Sequence, residues 1–267
     1  MFLVIGELIN STRKSVGQAI QDHDDQHIRD LARSQAAANA SVIDVNAGES
    51  MDREFDDLCW LIEVVEDELG PGVRLAIDTS DPDAMGKAIE KCSSPPVINS
   101  ISNEMTKGPL IEIAADCGCE VIGLAMGKQG IPRTAEDRFR ETVALFDTCT
   151  AAGVDPSRLY VDLVCMSVAS TPEQGRELLS AVRRVKHELG VKTLAAVSNV
   201  SFGLPNRRLL NRTFLSLLIE AGLDAAILDP TDPGIMDSLY ASLALLGADE
   251  YCMEYIKRHR ARQGLSK

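Results

Sequence analysis

Short apolar runs alternate with longer amphipathic stretches from one end of the chain to the other. Eight of the runs predict strands, at Phe2–Gly6, Val42–Val45, Arg74–Asp78, Val97–Ser100, Glu120–Ala125, Leu159–Asp162, Thr193–Val197 and Ala225–Leu228. Most are too short for helices, rich in Val, Ile and Leu, and not alternating with polar residues. That is the pattern of strands buried on both faces. An amphipathic stretch follows each. Gln26–Asn39 sets Ile28, Leu31, Ala32 and Gln35 near one face, and Phe55–Leu69 repeats Leu58, Ile62, Val65 and Leu69 at helical spacing. Helices are also predicted over Pro82–Cys92, Pro109–Cys117, Ala135–Ala152, Pro172–Leu189, Arg208–Ala221 and Ile235–Leu246. Asp81 before Pro82, and Thr171 before Pro172, read as N-caps with proline in the first turn. Gly70, Gly118, Gly153, Gly190 and Gly222 each follow a helix, where a left-handed cap is expected.

Eight strand–helix units in about 250 residues is the rhythm of a TIM-type (β/α)8 barrel. A doubly wound sheet needs fewer strands and a reversal of strand order. No composition shift or flexible linker marks a second domain. The expected architecture is a single α/β barrel domain over residues 1–267. An extra helix at about 250–262 would pack outside the barrel or at a subunit contact.

Composition narrows what such a barrel can bind. Only 4% of residues are aromatic, so the core must be aliphatic. The net charge of −13, from 27 basic and 40 acidic residues, argues against nucleic acid or an anionic membrane as partner. The Arg207-Arg208 and Arg258-His259-Arg260 clusters are small and read as solvated helix surface. The seven cysteines are odd in number and lack CxxC spacing, so all read as reduced thiols of a cytoplasmic protein. MFLVIGELIN has no basic leader and reads as the first strand. No apolar stretch approaches the ~20 residues of a membrane span.

In this fold chemistry sits where strands end. Asp44 and Asn46 end strand two, and Asp78, Asn99 and Asp162 end strands three, four and six. Ser198 and Asn199 end strand seven, and Asp229 ends strand eight. A polar group buried beside an apolar strand is costly without a partner. One such residue could cap the next helix, whereas six such strand ends suggest a shared ligand. His23, His27, His187 and His259 all fall in predicted helices, so a His-ligated metal is not expected. Lys192 starts strand seven, the wrong end for a Schiff base. No GxGxxG or P-loop motif offers a phosphate cradle. What remains is a neutral-to-acidic pocket of carboxylates and carboxamides. It suits a heterocycle with several N–H donors along one edge.

Six segments carry a family resemblance that covers nearly the whole chain. They are Gly6-Glu7-Leu8-Ile9-Asn10, Asp44-Val45-Asn46-Ala47-Gly48, Ile77-Asp78-Thr79, Ile98-Asn99-Ser100-Ile101-Ser102, Asp162, and Ser198-Asn199-Val200-Ser201-Phe202-Gly203-Leu204-Pro205-Asn206-Arg207. Together they resemble the pterin-binding methyltransferase family. It includes the methyltetrahydrofolate:corrinoid protein methyltransferases and the folate barrel of cobalamin-dependent methionine synthase, with dihydropteroate synthase more distant.

The resemblance implies tetrahydrofolate or 5-methyltetrahydrofolate as substrate. The pterin's exocyclic amine and adjacent ring N–H would be accepted in a fork by Asp162. Asn99 would meet the mixed N1/N8 edge, with Asp78 accepting from N8–H or orienting Asn99. Asn199, beside Ser198, would lie near the methyl-bearing N5 as the catalytic residue, through a hydrogen bond that strengthens along the reaction. Arg207 would meet the benzoyl-glutamate tail. Glu7, Asn10, Asp44, Asn46, Phe202 and Asp229 are further candidates, Phe202 standing where relatives commonly carry a polar residue. The implied reaction moves a methyl group between N5 and the cobalt of a corrinoid (cobalamin), in either direction, on a homodimer. One barrel uses the whole chain and no DxHxxG segment occurs, so the corrinoid is expected on a separate protein docked over the barrel mouth.

Two other readings compete. Dihydropteroate synthases carry a Lys at the end of strand seven and an Arg-x-His after strand eight. Here those places read Val197-Ser198-Asn199 and Asp229-Pro230-Thr231, with no cation. A non-catalytic folate-binding protein would need the pterin carboxylates but not Asn199.

Overall fold

The computed structural model describes residues 2–103 and 108–262. Eight strands close into one parallel barrel in chain order. They are β1 (Leu3–Asn10), β2 (Val42–Asn46), β3 (Leu75–Asp78), β4 (Val97–Ser102), β5 (Glu120–Leu124), β6 (Leu159–Asp162), β7 (Lys192–Ala196) and β8 (Ala225–Leu228). Pairing of β1 with β8, from Leu3↔Ala225 to Gly6↔Leu228, closes the ring. The expected barrel is the observed fold, with each strand shifted by at most a few residues.

β1 departs most from expectation. It runs on to Asn10 through a bulge between Gly6 and Ile9. A bulge leaves a backbone group without its ladder partner. Here the buried Gln35 carboxamide replaces that partner, its oxygen accepting the Leu8 N–H at 3.0 Å. Gly6 makes the room, since a Cβ there would lie 2.3 Å from that oxygen.

Helices α1 (Lys14–Asp22) and α2 (Asp25–Ala37) follow β1. One helix follows each later strand: α3 (Glu54–Leu69), α4 (Pro82–Lys91), α5 (Gly108–Cys117), α6 (Ala135–Ala151), α7 (Gln174–Glu188), α8 (Arg207–Glu220) and α9 (Pro233–Leu245). α10 (Met253–Arg262) packs on α9. Among the described residues no helix is long and apolar enough to cross a membrane.

Several local expectations are corrected. α1 was not foreseen, because its nine residues bury only Val16, Ala19 and Ile20. His23 lies in no helix: it caps α1 at a left-handed φ of 48°, stacks on Trp60 and bonds to the buried Asp57 at 2.9 Å. Asp81 caps α4 as expected. Thr171 does not cap α7, which starts at Gln174 after a turn whose N–H donates to the Thr171 carbonyl. Gly70 has an extended ψ of 162° and so is no left-handed cap. Arg258 is not solvated surface, since it ties α10 to Asp237 of α9 at 2.9 Å. The sulfurs of Cys117 and Cys119 lie against each other across the α5–β5 turn, where Gly118 between them turns the chain back at a φ of 61°.

The barrel interior is layered. Leu3, Ile5, Val42, Ala76, Val97, Ile122, Tyr160, Leu194 and Ala225, with Ile227 beside them, form an inner plug. Residues of the other parity, such as Val4, Ile43, Ile77, Ile98, Val161 and Leu228, pack outward on the helices. Side chains alternate across a strand, so the chain points inward again two residues later, one layer nearer the mouth. Those positions are Glu7, Asp44, Asp78, Asn99, Leu124, Asp162, Ala196 and Asp229. The plug is apolar, and the layer above it is mostly acid and amide.

Candidate active site at the barrel mouth

Asn99 and Asp44 confirm the inward direction of that layer. The Asn99 Nδ2 donates to Asp44 Oδ1 at 2.9 Å, linking β4 to β2 past β3. Asn46 donates to Asp78, at 3.1 Å to Oδ2 and 3.2 Å to its carbonyl. A carboxylate that orients Asn99 is therefore Asp44, whereas sequence reasoning offered Asp78 either for that task or as acceptor of the pterin N8–H. Burial holds the Asp44 carboxyl well above the usual carboxylate range, and the Asp78 charge adds to this. The Asn99 hydrogen bond opposes the shift without cancelling it.

Asp162 is buried at the end of β6, where its Oδ1 accepts the Val164 N–H at 2.8 Å. Among the described residues its second oxygen has no donor. Burial pushes this carboxyl up to about 6, against the pull of the Val164 N–H and the Arg138 charge. Arg138 reaches in from α6 and is fully buried. It donates to the carbonyls of Leu163 (2.8 Å), Val164 (3.1 Å) and Arg133 (3.1 Å) and to the Gln174 side-chain oxygen (2.6 Å). It thereby clamps the segment that follows Asp162. Sequence reasoning missed Arg138 and Gln174. The available signal was spacing: Arg138, Thr142, Leu145 and Cys149 are the buried positions of α6.

After β7 the chain makes a short 3-10 turn over Val197–Ser201. There the Ser198 hydroxyl donates to Glu7 Oε2 at 3.1 Å. Asn199 is exposed, and among the described residues its side chain has no hydrogen-bond partner. Arg207 is not a free surface cation: it donates to the Ser198 carbonyl at 2.8 Å and the Ser201 hydroxyl at 3.1 Å. Its guanidinium lies 5.8 Å from the ring of Phe202, which is 69% exposed. Burial raises the Glu7 carboxyl, with Asp229 adding to the effect and Ser198, Arg13 and Arg207 opposing it.

Three of the candidate residues hold loops. Asn10 accepts from the N–H and hydroxyl of Thr12, at 3.0 and 2.6 Å. Asp229 does the same for Thr231, at 2.9 and 2.6 Å. The Asn46 oxygen takes the Ser11 hydroxyl at 2.7 Å and the Gly48 N–H at 3.2 Å. Among the described residues no group of three or more His, Cys, Asp or Glu is placed to hold a metal ion. The mouth is thus rich in acceptors, several of them carboxyls raised toward neutrality. Such a set is chemically suited to accept hydrogen bonds from N–H donors along the edge of a flat ligand.

The pterin binding enzyme family matches residues 6–229, and the chain belongs to that family. Within it the chain is an enzyme of the methyltransferase kind. It is 32% identical over 266 residues to the methylcorrinoid:tetrahydrofolate methyltransferase of Eubacterium limosum, covering 97% of this chain and 96% of that protein. It is 29% identical over 243 residues to the methionine synthase of Mycobacterium leprae (strain TN), covering 84% of this chain but 20% of the synthase. The structure of Yersinia pestis dihydropteroate synthase with a pterine-sulfa conjugate superposes with a TM-score of 0.71 at 17% identity, covering 92% of this chain and 94% of that one. That last likeness concerns the barrel alone.

Proposed function

We propose that this enzyme works in the cytoplasm and moves a methyl group between N5 of tetrahydrofolate and the cobalt of a corrinoid carried on a separate protein. The name of the Eubacterium limosum relative puts the methyl group first on the corrinoid and last on the folate. We take the same direction here. The observation that carries the reading is Asp162, a buried carboxylate at a strand end, one oxygen of which has no donor among the described residues. It accepts the pterin's exocyclic amine and ring N–H in a fork. Asn99, held by Asp44, meets the mixed pterin edge, and Asp78 lies beside it. Asn199, with Ser198, stands at N5. A carboxamide there stabilises the charge that changes on N5 as the methyl group moves. Arg207 and Phe202 form the outer lip, where the folate tail leaves.

The corrinoid protein docks over the mouth. In support, among the described residues Arg13 and Lys14 after β1, and Lys128 and Arg133 after β5, are in no ion pair with a carboxylate. Unpaired cations around an opening favour an acidic partner. The chain also pairs with a second copy. The support is apolar: Leu217 of α8, Leu245 and Leu246 at the end of α9, and Tyr251, Met253, Tyr255 and Ile256 at α10 are all exposed.

The test is a calorimetric titration with methyltetrahydrofolate, run on wild type and Asp162→Ala. Wild type should bind and the variant should not, while both keep the same thermal unfolding transition. Absence of binding by folded wild type would remove the folate assignment.

A further inference from the structure

We propose that Glu7 is the proton-handling residue of the reaction, exchanging a proton with the folate N5 through the Ser198 hydroxyl. This rests on the function proposed above. When N5 takes up a methyl group, the N–C bond forms and the C–Co bond breaks, its electron pair staying on the metal. N5 then carries a methyl group and a hydrogen, and the hydrogen must leave as a proton. The folate pocket needs a base near N5 for this, or an acid for the reverse transfer.

The geometry supplies one. Glu7 points inward from β1, one layer above the Ile5 plug residue. Its Oε2 lies 3.1 Å from the Ser198 Oγ, and Ser198 adjoins Asn199. A hydroxyl both donates and accepts, so Ser198 can pass its own proton to Glu7 while taking one from the N5 side. The Glu7 carboxylate becomes a carboxylic acid, and atoms and charge balance. The β1 bulge, held by Gln35 on Leu8, fixes the backbone beside Glu7.

The other carboxyls are less available. Asp44 is bonded to Asn99, Asp78 to Asn46, and Asp229 to Thr231. Asp162 is taken by the pterin amine in the proposed mode. The groups facing Glu7 are Ser198, Asp229, Arg13 and Arg207, with Asp44 across from it on β2. Burial is the largest influence on the Glu7 carboxyl and raises it. A base works best when it titrates near the operating pH.

The experiment measures methyl transfer from free methylcobalamin at saturating tetrahydrofolate across a pH series. Tetrahydrofolate affinity is measured separately by calorimetry at each pH, so that loss of binding through Asp162 does not enter the rate. In this direction Glu7 must be ionised, so the wild-type rate should fall as pH drops through the Glu7 titration. Glu7→Gln should bind tetrahydrofolate about as wild type does, turn over roughly 10²–10³-fold more slowly, and lose that acid limb. Glu7→Asp should regain the limb at a reduced rate, which guards against a folding defect in the first variant. Ser198→Ala should slow turnover about tenfold and keep the limb, with water bridging the gap. A Glu7→Gln variant with wild-type rate and pH profile would overturn the proposal and leave the folate reading intact. So would a variant whose only loss is affinity for tetrahydrofolate. Wild type that binds no tetrahydrofolate would overturn both.

Discussion

Asn199 differs from the other polar residues of the mouth in holding nothing. Asn10, Asn46, Asn99 and Asp229 each make bonds that shape the pocket, whereas the Asn199 carboxamide is exposed without a partner among the described residues. A group left unpaired at the rim of the proposed site is available to a transition state. Asn199→Ala is therefore expected to lower turnover by about 10²–10³ while changing folate affinity little. Steady-state kinetics beside a binding titration would check this, and equal turnover would sink the role. Asp162 makes a pH prediction. Its carboxyl is raised to about 6, so the folded state holds this proton more tightly than the unfolded chain does. The stability it contributes is present below the ordinary carboxylate range and is lost as pH rises through about 6. The proposed folate binding runs the other way, because the proposed fork to Asp162 needs the ionised form. In the same calorimetric titration, affinity should weaken as pH falls below about 6. Asp162→Asn should flatten that dependence.

At the scale of elements, α6 and β1 do work that their sequences hide. Arg138 binds three backbone carbonyls and Gln174 from a fully buried position. Arg138→Leu leaves those acceptors unpaired, at about 1–3 kcal/mol for each that finds no water. Urea unfolding should show the loss, and folate affinity should fall with it as the segment behind Asp162 loosens. The strands were legible in the sequence because short apolar runs bounded by Gly, Asp and Asn have few other uses in a chain of this length. The acids and amides of the mouth were legible because they interrupt those runs at their ends. α1 was not, since three buried residues make too narrow a stripe. Nor was the Asn99–Asp44 bond, which joins strands that are not neighbours. Spacing along one strand carries no information about a partner across the barrel. Arg138 was hidden by chemistry, because an arginine on an amphipathic helix reads as surface until its carbonyl partners are seen.

At the scale of the whole molecule, the exposed apolar residues are unevenly spread. Most of them lie on α8, α9 and α10 or the turn between the last two, and few lie elsewhere on the barrel. Clustered exposed apolar surface marks an interface. Sedimentation should therefore give a dimer. Leu245 and Tyr251, 88% and 84% exposed, are the residues to change. Leu245→Glu with Tyr251→Glu should yield a folded monomer, and a monomeric wild type would refute the interface. The layered interior has a consequence of its own. Plug and site share one parity along each strand, so between them the chain keeps a reading frame. One residue gained or lost there would turn an acid outward onto a helix and an aliphatic side chain into the mouth. A length change within a strand thus needs a compensating bulge such as the one Gln35 supports in β1. The loops beyond the strands, apart from the turn that carries Ser198 and Asn199, lie outside that frame and can let substrate range drift without resetting it.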